Sequence, residues 1–147
     1  MKKHLFTVAL ILAAVFGANA QKNEVYAPKG NAINGYDPVA FFTMSKPVMG
    51  SDDYTFMYKD VKWKFSSKDN LEAFKANPEH FAPQYGGYCA YGTAEGHKAP
   101  TEVETWSVVN DKLYFNYNSK VKETWVKDQQ AFIQKADKNW PEIKGGK

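Results

Sequence analysis

The chain has 147 residues, 19 basic and 16 acidic side chains, 16% aromatic residues and one cysteine. That length suits one domain with a single core, and every basic residue is lysine. The absence of arginine forks and of a clustered basic face speaks against a nucleic-acid partner, and a single cysteine excludes an internal disulfide.

Residues 1–20, MKKHLFTVALILAAVFGANA, open with Lys2 and Lys3, continue as an apolar run from Leu5 to Phe16 and end in Ala18-Asn19-Ala20. This is the layout of a secretory signal peptide with a small-x-small cleavage site. The run is too short to cross a bilayer as a stable helix. The expected mature chain starts at Gln21 and has 127 residues, 147 less 20. With Lys2 and Lys3 gone, 17 lysines face 16 acidic residues, a net charge of +1. It is expected to be periplasmic or secreted, with no transmembrane segment.

Residues 21–32 read as a polar lead-in, 33–141 as the domain and 142–147 as a tail. INGYDPVAFF (33–42) carries a turn signal at Asn34-Gly35 and then an apolar run, which predicts a buried strand or short extended segment. YTFMYKDVKWKF (54–65) alternates: Tyr54, Phe56 and Tyr58 share a face, Lys59-Asp60 turns, and Val61, Trp63 and Phe65 resume. That is a β-hairpin. Residues 67–81 predict a helix capped by Ser67 and ended at Asn77-Pro78, with PEHFAP as one more turn. A second hairpin follows, TWSVV and KLYFNY around Asn110-Asp111. The longest helix is expected over 119–140, capped by Asn118 or Ser119 and stopped at Trp140-Pro141. A shift of 51 residues superposes Asp60 on Asp111, Trp63 on Tyr114 and Phe74 on Trp125, a repeated supersecondary pattern. The fold class is α+β: a small antiparallel sheet from two hairpins, with helices packed on one face.

GYDPVAFF, VKWKFSSKDNLEAFKANPEHFAPQYGGYCAYG, KLYFNYN and KADKNWP resemble the exported, single-domain branch of the YHS-domain family, distantly related to TRASH-like metal-binding domains. The resemblance runs from about Ile33 to Pro141. Metal-handling relatives carry one cysteine after an Asp-Pro-Val segment and two more in a Phe-Cys-Ser-x-x-Cys segment before a helix. The corresponding positions here are Ala40, Ser66 and Asn70. Neither a serine nor an amide replaces a thiolate toward a soft metal. The resemblance therefore implies that those three positions bind no metal.

QYGGYCAYG (84–92) holds the cysteine, Cys89. An unpaired thiol in an oxidising compartment is buried, pairs with another molecule, or does chemistry. One reading is a small apolar residue packed under the loop. The other is a thiolate that ligates a metal, holds a cofactor or reacts. Gly86 and Gly87 allow close backbone approach, and Tyr85, Tyr88 and Tyr91 offer aromatic walls. Tyr85, Gly86, Gly87 and Tyr88 are thus expected to line a ligand site, and Cys89 with His97 to hold a metal. Further ligands would come from Met44, Met49, Met57, Asp37 or a glutamate, and sulfur donors favour Cu(I). His80 is expected to face solvent at a helix end, and the four tryptophans to form core. Asp37 is either an Asx-type turn residue or a pocket-facing carboxylate. The functional expectation is a small binding protein, not an enzyme, taking a small ligand or a transition-metal ion such as copper. A metal-free interaction module and a redox-active thiol protein stand beside it, the latter without a resolving cysteine.

Overall fold

The computed structural model describes residues 24–146. The expected signal segment, its cleavage point and the start of the lead-in lie outside the described residues. The described chain is α+β: two antiparallel hairpins with helices before, between and after them. The hairpins form two separate two-stranded ladders, and each carries its own helices. Among the described residues, no helix is long and apolar enough to cross a membrane.

The first half begins with a turn, Ala32–Gly35, in which Ile33, Asn34 and Gly35 have φ of 53°, 52° and 85°. A β-branched residue in that region is costly. Next comes a short helix, α1 (Pro38–Thr43), where a strand was expected. The Asp37 carboxylate accepts from the N–H groups of Val39 (2.9 Å) and Ala40 (3.4 Å), and Pro38 sits where a helix needs no N–H partner. Pro38, Val39, Ala40 and Phe41 are all buried. A continuous apolar run looks the same in a fully surrounded helix as in a buried strand, so the cap decides. β1 (Ser51–Tyr58) and β2 (Val61–Phe65) then pair as expected, with Phe56 opposite Trp63 and Tyr58 opposite Val61. Lys59 and Asp60 both have positive φ, 51° and 61°, the twist-compatible hairpin turn. Ser67 caps α2 (Lys68–Ala76) by accepting from Asn70 N–H at 3.1 Å. Asn77 breaks the chain into α3 (Pro78–Phe81).

The second half repeats this course. Tyr85, Gly86 and Gly87 have φ of 57°, 63° and 87°, in the turn Gln84–Gly87. Cys89 caps α4 (Ala90–Ala94). β3 (Glu102–Val109) and β4 (Lys112–Asn116) pair with an irregularity between Glu102 and Ser107, matching the one between Ser51 and Thr55. Asn118 caps α5 (Ser119–Lys127) through Val121 N–H at 2.9 Å. The hydrogen bonds repeat as well: Asp37 N–H donates to Val48 O at 2.8 Å, and Cys89 N–H to Ala99 O at 3.0 Å.

The expected single helix over 119–140 is two helices, α5 and α6 (Gln129–Ile143). The break is at Asp128 (φ −145°, ψ 52°), a conformation close to that of Asn77 (φ −150°, ψ 71°) at the equivalent break. Both helices bury residues in one cluster, Trp125 from α5 and Ile133 with Ala136 from α6. The apolar periodicity therefore runs through the break. Pro141 lies inside α6 and does not end it. A proline one turn from a helix end removes a single bond, and Lys98 Nζ donates to Lys144 O (2.7 Å) just beyond.

Two buried clusters follow the two halves. One gathers Ile33, Phe41, Trp63, Phe65 and Phe74, and takes in Leu113 and Phe115 from β4. The other holds Tyr85, Tyr114, Trp125 and Ile133. Trp63 meets Phe74 at a centroid distance of 5.1 Å, and their counterparts Tyr114 and Trp125 meet at 5.5 Å.

Candidate functional site

Cys89 and Asp37 hold equivalent places in the two halves, each capping a short helix after a left-handed turn. The Cys89 sulfur accepts from Gly92 N–H at 3.4 Å, and the thiol donates to Asn116 Oδ1 at 3.6 Å. Asn116 Oδ1 also accepts from Tyr91 N–H at 3.1 Å. Cys89 is 1% exposed. Burial pushes its thiol up from the ordinary range, against the opposing pull of the N–H groups of Gly92, Tyr117 and Tyr91. A neutral, covered sulfur with its hydrogen bonds made is a poor nucleophile.

Ala40, Ser66 and Asn70, the positions where the resemblance would place cysteines, gather in space around Asp37. Ser66 donates to Asp37 Oδ2 through its N–H (2.8 Å) and its hydroxyl (2.7 Å), and Asn70 Nδ2 donates at 2.7 Å. Ala40 contributes the N–H already described. The carboxylate thus collects five donors, and Asp37 is wholly buried. It is a helix cap tied to Ser66 just past the end of β2, and it does not line the cleft described below.

His97 is an exposed residue. It returns to α4 through its backbone, with its N–H on Gly92 O at 3.0 Å. Met44, Met49 and Met57 are exposed on the surface. Among the described residues, no group of three or more His, Cys, Asp or Glu is placed to hold a metal ion. His80 is at a helix end as expected but is not simply solvent-facing. It packs on Phe42 and Phe81 at 5.1 and 4.6 Å and pairs Nδ1 with Asp111 Oδ2 at 3.5 Å. Trp63 and Trp125 are core, whereas Trp106 and Trp140 are only partly buried.

Of the expected ligand-lining residues, Tyr85 and Gly86 border a cleft of about 380 Å³. That volume falls in the range of small-molecule sites, roughly 300–1,000 Å³. Gly87 and Tyr88 turn elsewhere: Gly87 O accepts from Thr101 Oγ1 at 2.7 Å, and Tyr88 packs on Tyr26 at 5.4 Å. The cleft lies where the two halves meet. The first half supplies Tyr58 and Trp63 to its wall, and the second Tyr85 and Trp140. Tyr85 hydroxyl donates to Asp137 Oδ1 at 2.8 Å, and its ring meets Trp140 at 6.0 Å. Burial, with Asp137 alongside, raises the Tyr85 phenol far above its ordinary value, so it remains a donor. At the rim Lys59 pairs with Glu24 at 3.0 Å.

Asp137, Trp140 and the tyrosine they hold form a corner that reading the chain element by element does not find. The signal was the repeat itself. A shift of 51 carries Phe81, the end of α3, onto Phe132. α3 has four residues and α6 has fifteen, so the part of α6 beyond Phe132 has no counterpart in the first half. Asp137, Trp140 and Pro141 all come from that excess and all border the cleft. Compared with protein-family models, with curated proteins and with solved structures, the chain matches none.

Proposed function

We propose that the chain is an exported, small-ligand-binding module of YHS type, whose ligand sits in the cleft against Tyr85 and Gly86 and not on the Cys89 sulfur. Export is supported by the signal layout of residues 1–20, and the YHS type by the motifs between Ile33 and Pro141. One observation carries the ligand reading: a cleft of about 380 Å³ takes in Tyr85 and Gly86 of the tyrosine-glycine loop, while Cys89 beside it is covered. Aromatic walls with a few placed polar groups are the usual make-up of such sites.

Protein isolated from its native compartment is expected to release one dominant organic molecule on denaturation, detected by mass spectrometry in near-equimolar amount. A folded Trp140→Leu variant should release far less. A transition metal present in near-equimolar amount by elemental analysis, and lost in Cys89→Ser, would overturn the reading in favour of a metal centre at the sulfur.

A further inference from the structure

We infer that the ligand of the cleft is a small organic cation, with its ammonium group held between the aromatic walls and the Asp137 carboxylate. This rests on the reading that the cleft is a ligand site, and it follows from how the polar groups there are already committed. Two buried side-chain donors stand in the wall, and both are used internally. The Tyr85 hydroxyl is held by Asp137 at 2.8 Å, and the Trp63 indole N–H donates to Tyr58 O at 2.9 Å. An anion would find neither of them free.

The charges point the same way. Three carboxylates border the cleft, Glu24, Glu79 and Asp137, against two lysines, Lys59 and Lys112. Glu24 and Lys59 neutralise each other. Glu79 and Asp137 are left against Lys112. Asp137 accepts the tyrosine through Oδ1, which leaves Oδ2 for a ligand. Aromatic faces attract cations through their quadrupoles, tryptophan most strongly. Trp63 and Tyr85 are 1% and 4% exposed, so Tyr58 and Trp140 are the rings a ligand can reach, and both already draw an ammonium group, Lys59 Nζ at 5.6 Å and Lys98 Nζ at 5.8 Å. Asp137 and Trp140 are three residues apart on α6 and so lie on one face of it. The carboxylate is therefore set beside the aromatic wall.

The test is a calorimetric and tryptophan-fluorescence titration of the mature protein with choline, a primary arylalkylamine and an aliphatic diamine. Choline's uncharged isostere, with carbon in place of nitrogen, and the matching tert-butyl carboxylate serve as controls. At least one cation should bind saturably, about tenfold or more tighter than either control, and binding should weaken with added salt. Asp137→Asn keeps an acceptor for Tyr85 and removes the charge; it should weaken the cation about tenfold while the thermal melt stays put. Trp140→Leu should weaken it as well. Equal or tighter binding of the neutral or anionic control, an unchanged affinity in Asp137→Asn, or binding by none of the cations would overturn the inference. If the molecule released from native protein is neutral or anionic and is lost in Trp140→Leu, the cleft remains a ligand site and only the cation assignment falls. If nothing is released and no probe binds, both readings fall.

Discussion

A sulfur at Cys89 does for α4 what a carboxylate at Asp37 does for α1, and the two differ in what they tolerate. Asp37 accepts five donors inside the core. Asp37→Ala strands them, and each buried donor left unmatched costs about 1–3 kcal/mol. The expected loss is about 3 kcal/mol or more in a denaturant titration. Asp37→Asn should also destabilise, because an amide nitrogen would face donors. Cys89→Ala loses weaker bonds and a small volume, and is expected to cost about 2 kcal/mol. The native thiol should resist a disulfide reagent at neutral pH and react fully once the chain is unfolded; rapid labelling of folded protein would contradict the burial described. Because burial raises the Cys89 thiol, its contribution is intact below the unfolded value of about 8.5 and is lost above it. There the unfolded chain releases a proton that the folded chain keeps, so stability falls with rising pH. Above about pH 8.5 the Cys89 part of this decline should be absent in Cys89→Ala.

Among the elements, the left-handed turn Gln84–Gly87 is the one that brings the lead-in arm and the cleft together. A Cβ added at Gly86 would lie 1.7 Å from Glu24 O, at a φ of +63°. Gly86 O in turn accepts from Tyr26 N–H at 2.8 Å. Gly86→Ala is therefore expected to lift residues 24–26 off the turn and to cost at least about 2 kcal/mol. A lowered melting temperature and new proteolytic cleavage near Val25 would report it. α6 is the other decisive element. Asn139 Nδ2 donates to Thr93 O at 3.1 Å and Ala94 O at 3.0 Å, closing the end of α4. The same helix presents Asp137 and Trp140 to the cleft, so the stretch that outruns the repeat both fastens the second half and shapes the site.

At the scale of the whole molecule, the halves repeat each other's course but are not separate folding units. Phe115 of β4 packs edge-on against Phe41 of α1 at 5.4 Å, and Trp106 of β3 meets Phe41 at 5.7 Å. A core shared in this way should melt as one. Far-ultraviolet circular dichroism and tryptophan fluorescence are expected to give coincident transitions, and Phe115→Ala should lower both by the same amount, about 3 kcal/mol or more. Separated transitions would show that the halves unfold independently.

The hairpins were legible in the sequence because strand alternation and turn residues are local: Val61, Trp63 and Phe65 face the core as their spacing requires. The caps at Ser67 and Asn118 are local too, each a short side chain reaching an N–H three residues on. α1 was not read, since the four buried residues after Asp37 carry no periodicity when every face is covered. Nor was the break at Asp128, which the shared burial of α5 and α6 masks. At the site, the sequence singled out Tyr85, Gly86, Gly87 and Tyr88 by composition, and the first two border the cleft while the other two do not. It could not say that Cys89 would be sealed by Asn116, or that Tyr85 would meet Asp137 52 residues away. Local hydrogen bonding and alternation determined the elements. Packing between distant segments, which has no period along the chain, decided which side chains became core and which became the wall of a cleft.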